Sequence, residues 1–224
     1  MAKNNRVSGF AQVTDEAKVV DSARVSGHAV VSGRAKVSGH ARVVGNATVS
    51  GSAWVYGRSS VSGAAKIADH SEVSGHATVC EHAEISGRAE VAGRADVSGH
   101  AKVSGRTSVD GDATISGNAV VTKSATVSGR ARITDEVWLS GDARVSGEAE
   151  LTGKAAVADG ASITKSEHVQ TYIEPESEVV WTAYRSHRDG AKYLRDRTFM
   201  EAADAPAELV ALVQAAWQKK NKKK

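Results

Sequence analysis

The sequence predicts an all-β solenoid of very short strands, closed at its C-terminal end by a small α+β cap. Counted from Val7, every sixth residue as far as Val169 is Val, Ile or Leu, which gives 28 consecutive positions without an exception. A small residue, usually Ala, follows each aliphatic after four places, and 19 of the 21 glycines lie two places after it. After Val169 this register stops and a stretch of different composition begins.

The repeating unit is Val-Ser-Gly-x-Ala-x, and its period of six suits one short strand followed by one sharp corner. Val is β-branched and favours a strand, so we expect it to point inward while its two neighbours point outward. Gly suits a corner that needs an unusual backbone angle, and Ala suits a crowded one. Where Gly is missing, the substitute is mostly Asp, another residue common in turns. These substitutes are Asp15, Asp21, Asp69, Asp135 and Asp159.

Three segments follow from this pattern: a solenoid (residues 1–167), a cap (168–218) and a Lys-rich tail (219–224). In the cap, a turn at 174–177 is expected to join two strands, 168–173 and 178–186, and a helix is expected to start near Asp204 and Pro206. The predicted apolar face of that helix consists of Leu209, Leu212, Val213, Ala216 and Trp217. No similar cap is predicted at the N-terminal end, so that strand edge is expected to be covered by a partner or exposed.

Composition limits the classes of function. The net charge is +3, and the lysines of residues 219–224 exceed that surplus, so the body is close to neutral and gives no reason to expect nucleic acid as a partner. We find no apolar run of signal or membrane-spanning length, and Cys80 has no second cysteine to pair with. The sequence therefore predicts a cytoplasmic protein with no membrane partner.

The unit resembles that of the hexapeptide-repeat proteins, in which an aliphatic residue is followed four places later by a small one; the resemblance covers roughly residues 7–169. It implies a left-handed parallel β-helix with three units per 18-residue coil. About nine triangular coils, at a strand spacing of about 4.8 Å, would give a rod roughly 43 Å long. One departure is that Gly here lies two places after the aliphatic rather than mainly one.

The cap also carries a resemblance. Its segment Trp181-Thr182-Ala183-Tyr184-Arg185, followed by Asp189-Gly190, is similar to the C-terminal module of phage and bacterial hexapeptide-repeat proteins. Members of that group are commonly labelled transferases without demonstrated chemistry. The resemblance implies a phage-related origin and, for the location, the cytoplasm of an infected or lysogenic host.

Many hexapeptide-repeat proteins are acyltransferases, in which a His near a loop acts as general base beside an acyl-CoA thioester. This repeat contains no inserted loop. His82 and His100 stand one coil apart in a position that also holds Arg, Asn and Ser, which favours a tolerant exposed corner. If the chain is an enzyme, the candidates are these two and His187 in the cap, with acyl-CoA as cofactor. Two histidines without a third ligand are a weak metal site, so no metal is predicted.

Outward-facing residues favour assembly over catalysis. Lys66, Glu84 and Lys102 fall one coil apart, as do Arg132 and Glu150, so opposite charges alternate along the rod. Apolar patches are expected on one face around Val120 and Trp138 and on another around Trp54 and Tyr56, and we interpret them as oligomer contacts. The resemblance to hexapeptide-repeat proteins, which are frequently trimers packed side by side, implies a trimer. Candidate phosphate-binding side chains are Arg88, Arg106, Arg185 and Arg188.

Three hypotheses for function remain open at this point. The first is a non-catalytic scaffold or interaction protein that is homo-oligomeric and binds a protein partner or a small molecule. The second is an acyltransferase with its site at a subunit interface or between solenoid and cap. The third is the capture of a phosphate-bearing small molecule in clefts between subunits.

Overall fold

A computed structural model describes residues 6–175, 177–186 and 190–218. It confirms the predicted solenoid, since residues 12–163 form 26 strands of two residues each. In chain order the strands are β1 (Gln12–Val13), β2 (Lys18–Val19), β3 (Arg24–Val25), β4 (Val30–Val31), β5 (Lys36–Val37), β6 (Arg42–Val43), β7 (Thr48–Val49), β8 (Trp54–Val55), β9 (Ser60–Val61), β10 (Lys66–Ile67), β11 (Glu72–Val73), β12 (Thr78–Val79), β13 (Glu84–Ile85), β14 (Glu90–Val91), β15 (Asp96–Val97), β16 (Lys102–Val103), β17 (Ser108–Val109), β18 (Thr114–Ile115), β19 (Val120–Val121), β20 (Thr126–Val127), β21 (Arg132–Ile133), β22 (Trp138–Leu139), β23 (Arg144–Val145), β24 (Glu150–Leu151), β25 (Ala156–Val157) and β26 (Ser162–Ile163).

Three parallel sheets form the faces of the solenoid. Face 1 runs from β1 through every third strand to β25, face 2 from β2 to β26, and face 3 from β3 to β24. The faces hold nine, nine and eight strands, so the rod has about eight full turns where about nine were expected. Paired residues are 18 apart, as in Lys66 opposite Glu84, which confirms three units per coil.

The core is a column of small aliphatic side chains. From Val25 to Val145 every inward Val, Ile or Leu has no exposed surface, and neither do the corner alanines between them. Outward residues donate their N–H groups to the next coil, as Lys36 does to the carbonyl of Ala53 at 2.9 Å. Inward residues bond to the preceding coil instead, as the N–H of Val25 does to the carbonyl of Arg6 at 2.7 Å, so every strand residue takes part in the pairing of coils.

Glycine is required at the corners for two separate reasons. Gly33 has φ +67°, in the left-handed region that residues with a Cβ disfavour. A Cβ placed there would also lie only 2.7 Å from the carbonyl oxygen of Gly51 in the next coil. The backbone angle and the close approach of the next coil therefore both favour glycine at this position.

The acids that replace corner glycines have a specific role that the sequence did not reveal. Asp69 and Glu81 also have positive φ, at 61° and 60°. The Asp69 carboxylate accepts the N–H of Gly87 at 2.8 Å, and that of Glu81 accepts the N–H of Gly99 at 2.8 Å. The same bond, from an acid to the glycine 18 residues later, is made by Asp15 with Gly33, Asp21 with Gly39 and Asp135 with Gly153. Corner acids therefore join consecutive coils.

At one corner the prediction was wrong. Asp159 was interpreted as a substitute for the corner glycine, but the positive φ, +74°, belongs to Gly160 instead. The next residue along is itself a glycine, so the strained angle moves one place and Asp159 avoids it.

The cap is an antiparallel sheet in the order β27, β28, β29, β30, with one helix. Its elements are β27 (Val169–Ile173), β28 (Val180–Ser186), β29 (Gly190–Arg195), β30 (Thr198–Met200) and α1 (Ala207–Gln218), with 3-10 turns at Ser166–His168 and Ala202–Asp204. The two predicted strands and the helix are confirmed, whereas β29 and β30 were not predicted. Val169, the last position of the repeat register, pairs with Tyr184 of β28 and so belongs to the cap sheet.

Alternate residues of β28 face the solenoid and the helix. Thr182 and Tyr184 point to the last coil, where the Thr182 hydroxyl accepts the N–H of Ala156 at 3.0 Å and the fully buried Tyr184 joins the main core. Trp181 and Ala183 point the other way, into a second small core with the helix. On the helix, Leu209 and Val213 are buried there as predicted.

Two residues of the predicted helix face need separate comment. Leu212 was expected on the buried face but is 42% exposed, because the helix contacts the sheet along a narrower stripe. The Trp217 side chain lies outside the described part of the chain.

Candidate binding surfaces

The histidine candidates lie on the corner between faces 3 and 1. His82 and His100 stack there with ring centroids 4.8 Å apart and an angle of 16° between the rings, as their spacing predicted. Both side chains are exposed. Parallel rings at this distance direct their nitrogens side by side rather than toward a common point. Among the described residues, no group of three or more His, Cys, Asp or Glu side chains is arranged to hold a metal ion.

The arginine candidates lie on a different corner. Arg88 and Arg106 are exposed, one coil apart, between faces 1 and 2. Face 1 separates them from the histidines, and its column of Lys66, Glu84 and Lys102 occupies the space between. Within one copy of the chain, the structure therefore does not bring the proposed base and the proposed phosphate-binding groups together.

The charge ladder on face 1 is confirmed. Glu84 forms ion pairs with Lys66 at 3.1 Å and with Lys102 at 3.7 Å. The hydrogen bond from Lys66 and the positive charges on both sides hold the pKa of Glu84 below its usual range. A second predicted pair, Arg132 with Glu150, is present at 3.8 Å. These ion pairs help to fix the register of the coils, and the Glu84 carboxylate is already paired within the chain.

The aromatic cluster on face 2 is largely satisfied by its own chain. The Trp54 and Tyr56 rings stack at 4.1 Å, and Lys36 lies 4.9 Å above the Trp54 ring. The indole N–H of Trp54 donates to the Ser38 hydroxyl at 2.9 Å and covers it, leaving Ser38 5% exposed. The Tyr56 hydroxyl donates to Glu72 at 3.2 Å. Both rings are half-buried, so only part of this cluster is open to a partner.

The second apolar patch, on face 1, lies partly beneath the cap. Val120 and Trp138 are half-buried, and Ala156 next to them is 3% exposed. The Arg197 guanidinium of the β29–β30 turn lies over the Trp138 ring, 5.7 Å from its centroid. This contact within the chain reduces the surface that we expected to be available for a trimer.

A shallow cleft of about 290 Å³ lies between solenoid and cap at this point. Its lining combines two acids, two bases and apolar surface: Glu136, Lys154, Ala156, Val180, Asp196 and Arg197. The charges balance and the charged side chains are exposed, so the cleft has no net preference for an anion or a cation.

The β29–β30 turn was missed by sequence reasoning. Asp196 and Arg197 both have positive φ, 44° and 72°, in a two-residue hairpin turn that usually contains Gly. No Gly or Asn marks the turn in the sequence, so nothing indicated a hairpin. The turn is fixed by Asp196, whose carboxylate accepts the N–H of Val180 at 3.0 Å. It is this geometry that places Arg197 on Trp138.

The candidates in the cap can be placed only in part. Arg185 is exposed at the end of β28, whereas His187 and Arg188 lie outside the described residues.

On face 3, burial and the nearby carboxylates of Asp96 and Glu81 raise the pKa of the Cys80 thiol. A raised pKa disfavours the thiolate that a nucleophile needs.

Comparison with known proteins supports the β-solenoid repeat alone. A family model described as "YdcK Beta solenoid repeat" matches residues 41–57 and 113–129. The two segments start at the same phase of the repeat, 72 residues or four 18-residue coils apart. They cover a small part of the chain, so the likeness is to a β-solenoid repeat. No curated protein and no solved structure matches the chain. Within the described residues, no helix is long and apolar enough to span a bilayer.

Proposed function

We propose that this chain is a non-catalytic scaffold protein, which presents the surfaces of a rigid rod to its partners. The observation that carries the proposal is the unbroken run of 26 short strands between Gln12 and Ile163. A rod in which every coil pairs with the next offers long, fixed columns of side chains, and such columns suit extended interaction surfaces.

The contacts of the polar residues support the same proposal. Glu84 is held between two lysines, and the corner acids Asp69 and Glu81 are bound to backbone N–H groups of the next coil. These side chains stabilise coil stacking, which is a structural role. The two exposed candidate groups, the His82–His100 stack and the Arg88–Arg106 corner, lie on different corners.

Homo-oligomerisation, a phage-related setting and a cytoplasmic location belong to the same proposal. Their support is the apolar surface left on two faces and the resemblance of the cap to phage and bacterial hexapeptide-repeat proteins. The trimer rests on the resemblance of the repeat to hexapeptide-repeat proteins, because both of its expected contact patches are partly covered by side chains of the same copy.

Calorimetric titration with acetyl-CoA tests the proposal against the acyltransferase alternative. We expect no heat of binding with the wild-type chain. A saturable heat that disappears in a His82→Ala, His100→Ala double variant would overturn the scaffold function in favour of acyl transfer at that corner.

Thermal-shift measurements with nucleotides and inorganic phosphate test the third alternative. We expect the same melting temperature with and without ligand. A ligand-dependent rise that is lost in an Arg88→Ala, Arg106→Ala double variant would instead support the capture of a phosphate-bearing molecule.

A further inference from the structure

The first coil of the rod exposes inward aliphatic side chains that the later coils bury, and it carries one exposed aromatic ring at an outward corner. Val7 is 39% exposed, and Val13 and Val19 are half-buried. Phe10 stacks on His28 of the second coil with ring centroids 4.9 Å apart, and it is 75% exposed. From Ala23 onward, the inward positions are at most 1% exposed as far as Ala149. We call residues 6–20 the N-terminal edge; among the described residues, no other segment covers it.

Backbone donors also point out of this edge. Gln12 and Thr14 donate their N–H groups to Ala29 and Val31 of the second coil, at 2.9 and 3.0 Å. Successive N–H groups of a strand point to opposite neighbours, so the N–H of Val13 points away from the rod. The same holds for Val19, whose neighbours Lys18 and Val20 both donate to the second coil. The edge therefore has strand donors ready for another strand.

The charged side chains of the first coil do not protect the edge. Glu16 pairs with Arg34 of the second coil at 3.3 Å, and Asp15 accepts the N–H of Gly33 in that coil at 2.9 Å. The acids are thus drawn away from the open side. Over residues 6–24 the charges cancel, since Arg6, Lys18 and Arg24 balance Asp15, Glu16 and Asp21. Two such edges would not repel each other, and residues 1–24 contain no proline to block pairing.

The opposite end of the rod shows how this molecule closes a solenoid edge. There β28 runs antiparallel to the last coil, with Ala161 paired to Ser186. When two identical coils meet face to face across a two-fold axis, their chains circulate in opposite senses. Their strands are then antiparallel, which is the relation that already closes the C-terminal end.

We propose that two copies of the chain pair head to head through their N-terminal edges, which gives a two-fold symmetric rod with a cap at each end. This inference deepens the scaffold function proposed above and rests on it. The pairing joins the sheets of the two copies and buries Phe10, Val13 and Val19 of each copy. The end of one coil is small beside the 1,200–2,000 Å² of a typical stable interface, so we expect a dissociation constant on the order of micromolar.

Sedimentation equilibrium over a range of protein concentrations tests the pairing. We expect the wild-type mass to rise from 23.3 kDa toward twice that value as concentration increases. Phe10→Glu places a carboxylate on each of the two apposed edges and should raise the dissociation constant at least tenfold. Phe199→Glu is the matched control, because Phe199 is a 48% exposed phenylalanine on the cap, and it should leave the constant unchanged.

A second variant tests the strand pairing itself. Val19→Pro removes an N–H that points out of the edge and no donor that bonds to the second coil, so the rod should keep its circular dichroism spectrum. We expect this variant also to be monomeric at concentrations at which the wild type is a dimer.

Several results would overturn the inference. These are a wild type that stays at 23.3 kDa throughout, a mass of three chains, or equal weakening by Phe10→Glu and Phe199→Glu. A chain that dimerises only after removal of residues 1–5 would show that those residues occupy the edge. None of these outcomes depends on acetyl-CoA, so failure of the head-to-head dimer is distinguishable from failure of the scaffold function.

Discussion

Substitution of corner glycines separates the two reasons for which the solenoid uses them. Gly99 and Gly153 both have φ +68°, and both donate their N–H to an acid one coil earlier, Glu81 and Asp135 respectively. They differ in how closely the next coil approaches them. A Cβ on Gly99 would lie 2.7 Å from the carbonyl oxygen of Gly117, whereas a Cβ on Gly153 would have nothing within 4 Å.

The two alanine variants should therefore differ by the cost of the clash alone. Ala in the left-handed region costs roughly 1–2 kcal/mol, and the loss of chain entropy in the unfolded state offsets about 0.4–1 kcal/mol of that in both variants. Overpacking against a fixed backbone adds about 1–3 kcal/mol for Gly99→Ala only. A difference of about 2 kcal/mol corresponds to a difference in melting temperature of about 4–8 °C for a chain of this size.

Thermal unfolding followed by circular dichroism measures this difference directly. We expect Gly153→Ala to melt slightly below the wild type and Gly99→Ala to melt clearly below both. Equal melting temperatures for the two variants would refute the reasoning, because they would show that close approach between coils contributes nothing to the choice of glycine.

Two further predictions concern the charge ladder and the cap. The folded-state pKa of Glu84 is lowered, so its contribution to stability is present above the unfolded-state pKa and is lost as the pH falls through the folded-state value. Glu84→Gln should therefore lower the free energy of unfolding at neutral pH by about 0.2–1 kcal/mol, because the ion pairs are exposed. In acid the variant and the wild type should be equally stable, and a difference in stability that persists there would contradict the assignment. Tyr184→Ala should lower the free energy of unfolding by about 3–5 kcal/mol, because Tyr184 is fully buried at the junction of solenoid and cap. Tyr172→Ala, at a half-buried position of β27, is its control in urea unfolding, and equal losses would show that the junction is not the source of the effect.

The solenoid could be predicted almost completely from the sequence, because its structure is local and repeated. The inward direction of Val, the corner at Gly and the pairing of Lys66 with Glu84 all follow once the period of six and the coil of 18 are known. The cap could be predicted only in part. The turn at Asp196 and Arg197 has no glycine, and its left-handed angles are held by a bond to Val180 that no local pattern indicates.

The candidate surfaces were predicted in position but not in exposure. The spacing placed Trp54 and Trp138 on the correct faces. The side chains that cover them come from elsewhere: Lys36 of the preceding coil lies over Trp54, and Arg197 of the cap lies over Trp138. The burial of a surface residue depends on the direction of long side chains and on how the cap docks against the solenoid. A repeat pattern gives no information about either.

The two ends of the rod together limit what the chain can assemble into. Stacking of copies head to tail would require the last coil to accept the first coil of another copy, but β28 already lies against that coil and Tyr184 fills the end of its core. Head-to-head pairing uses the N-terminal edge of both copies at once, and a two-fold contact of this kind leaves no equivalent edge for a third copy. With the cap at one end and the proposed self-pairing at the other, a solenoid whose open sheets would otherwise favour fibres would be restricted to a closed dimer. Such a dimer presents each face of the rod twice, in opposite directions along one axis.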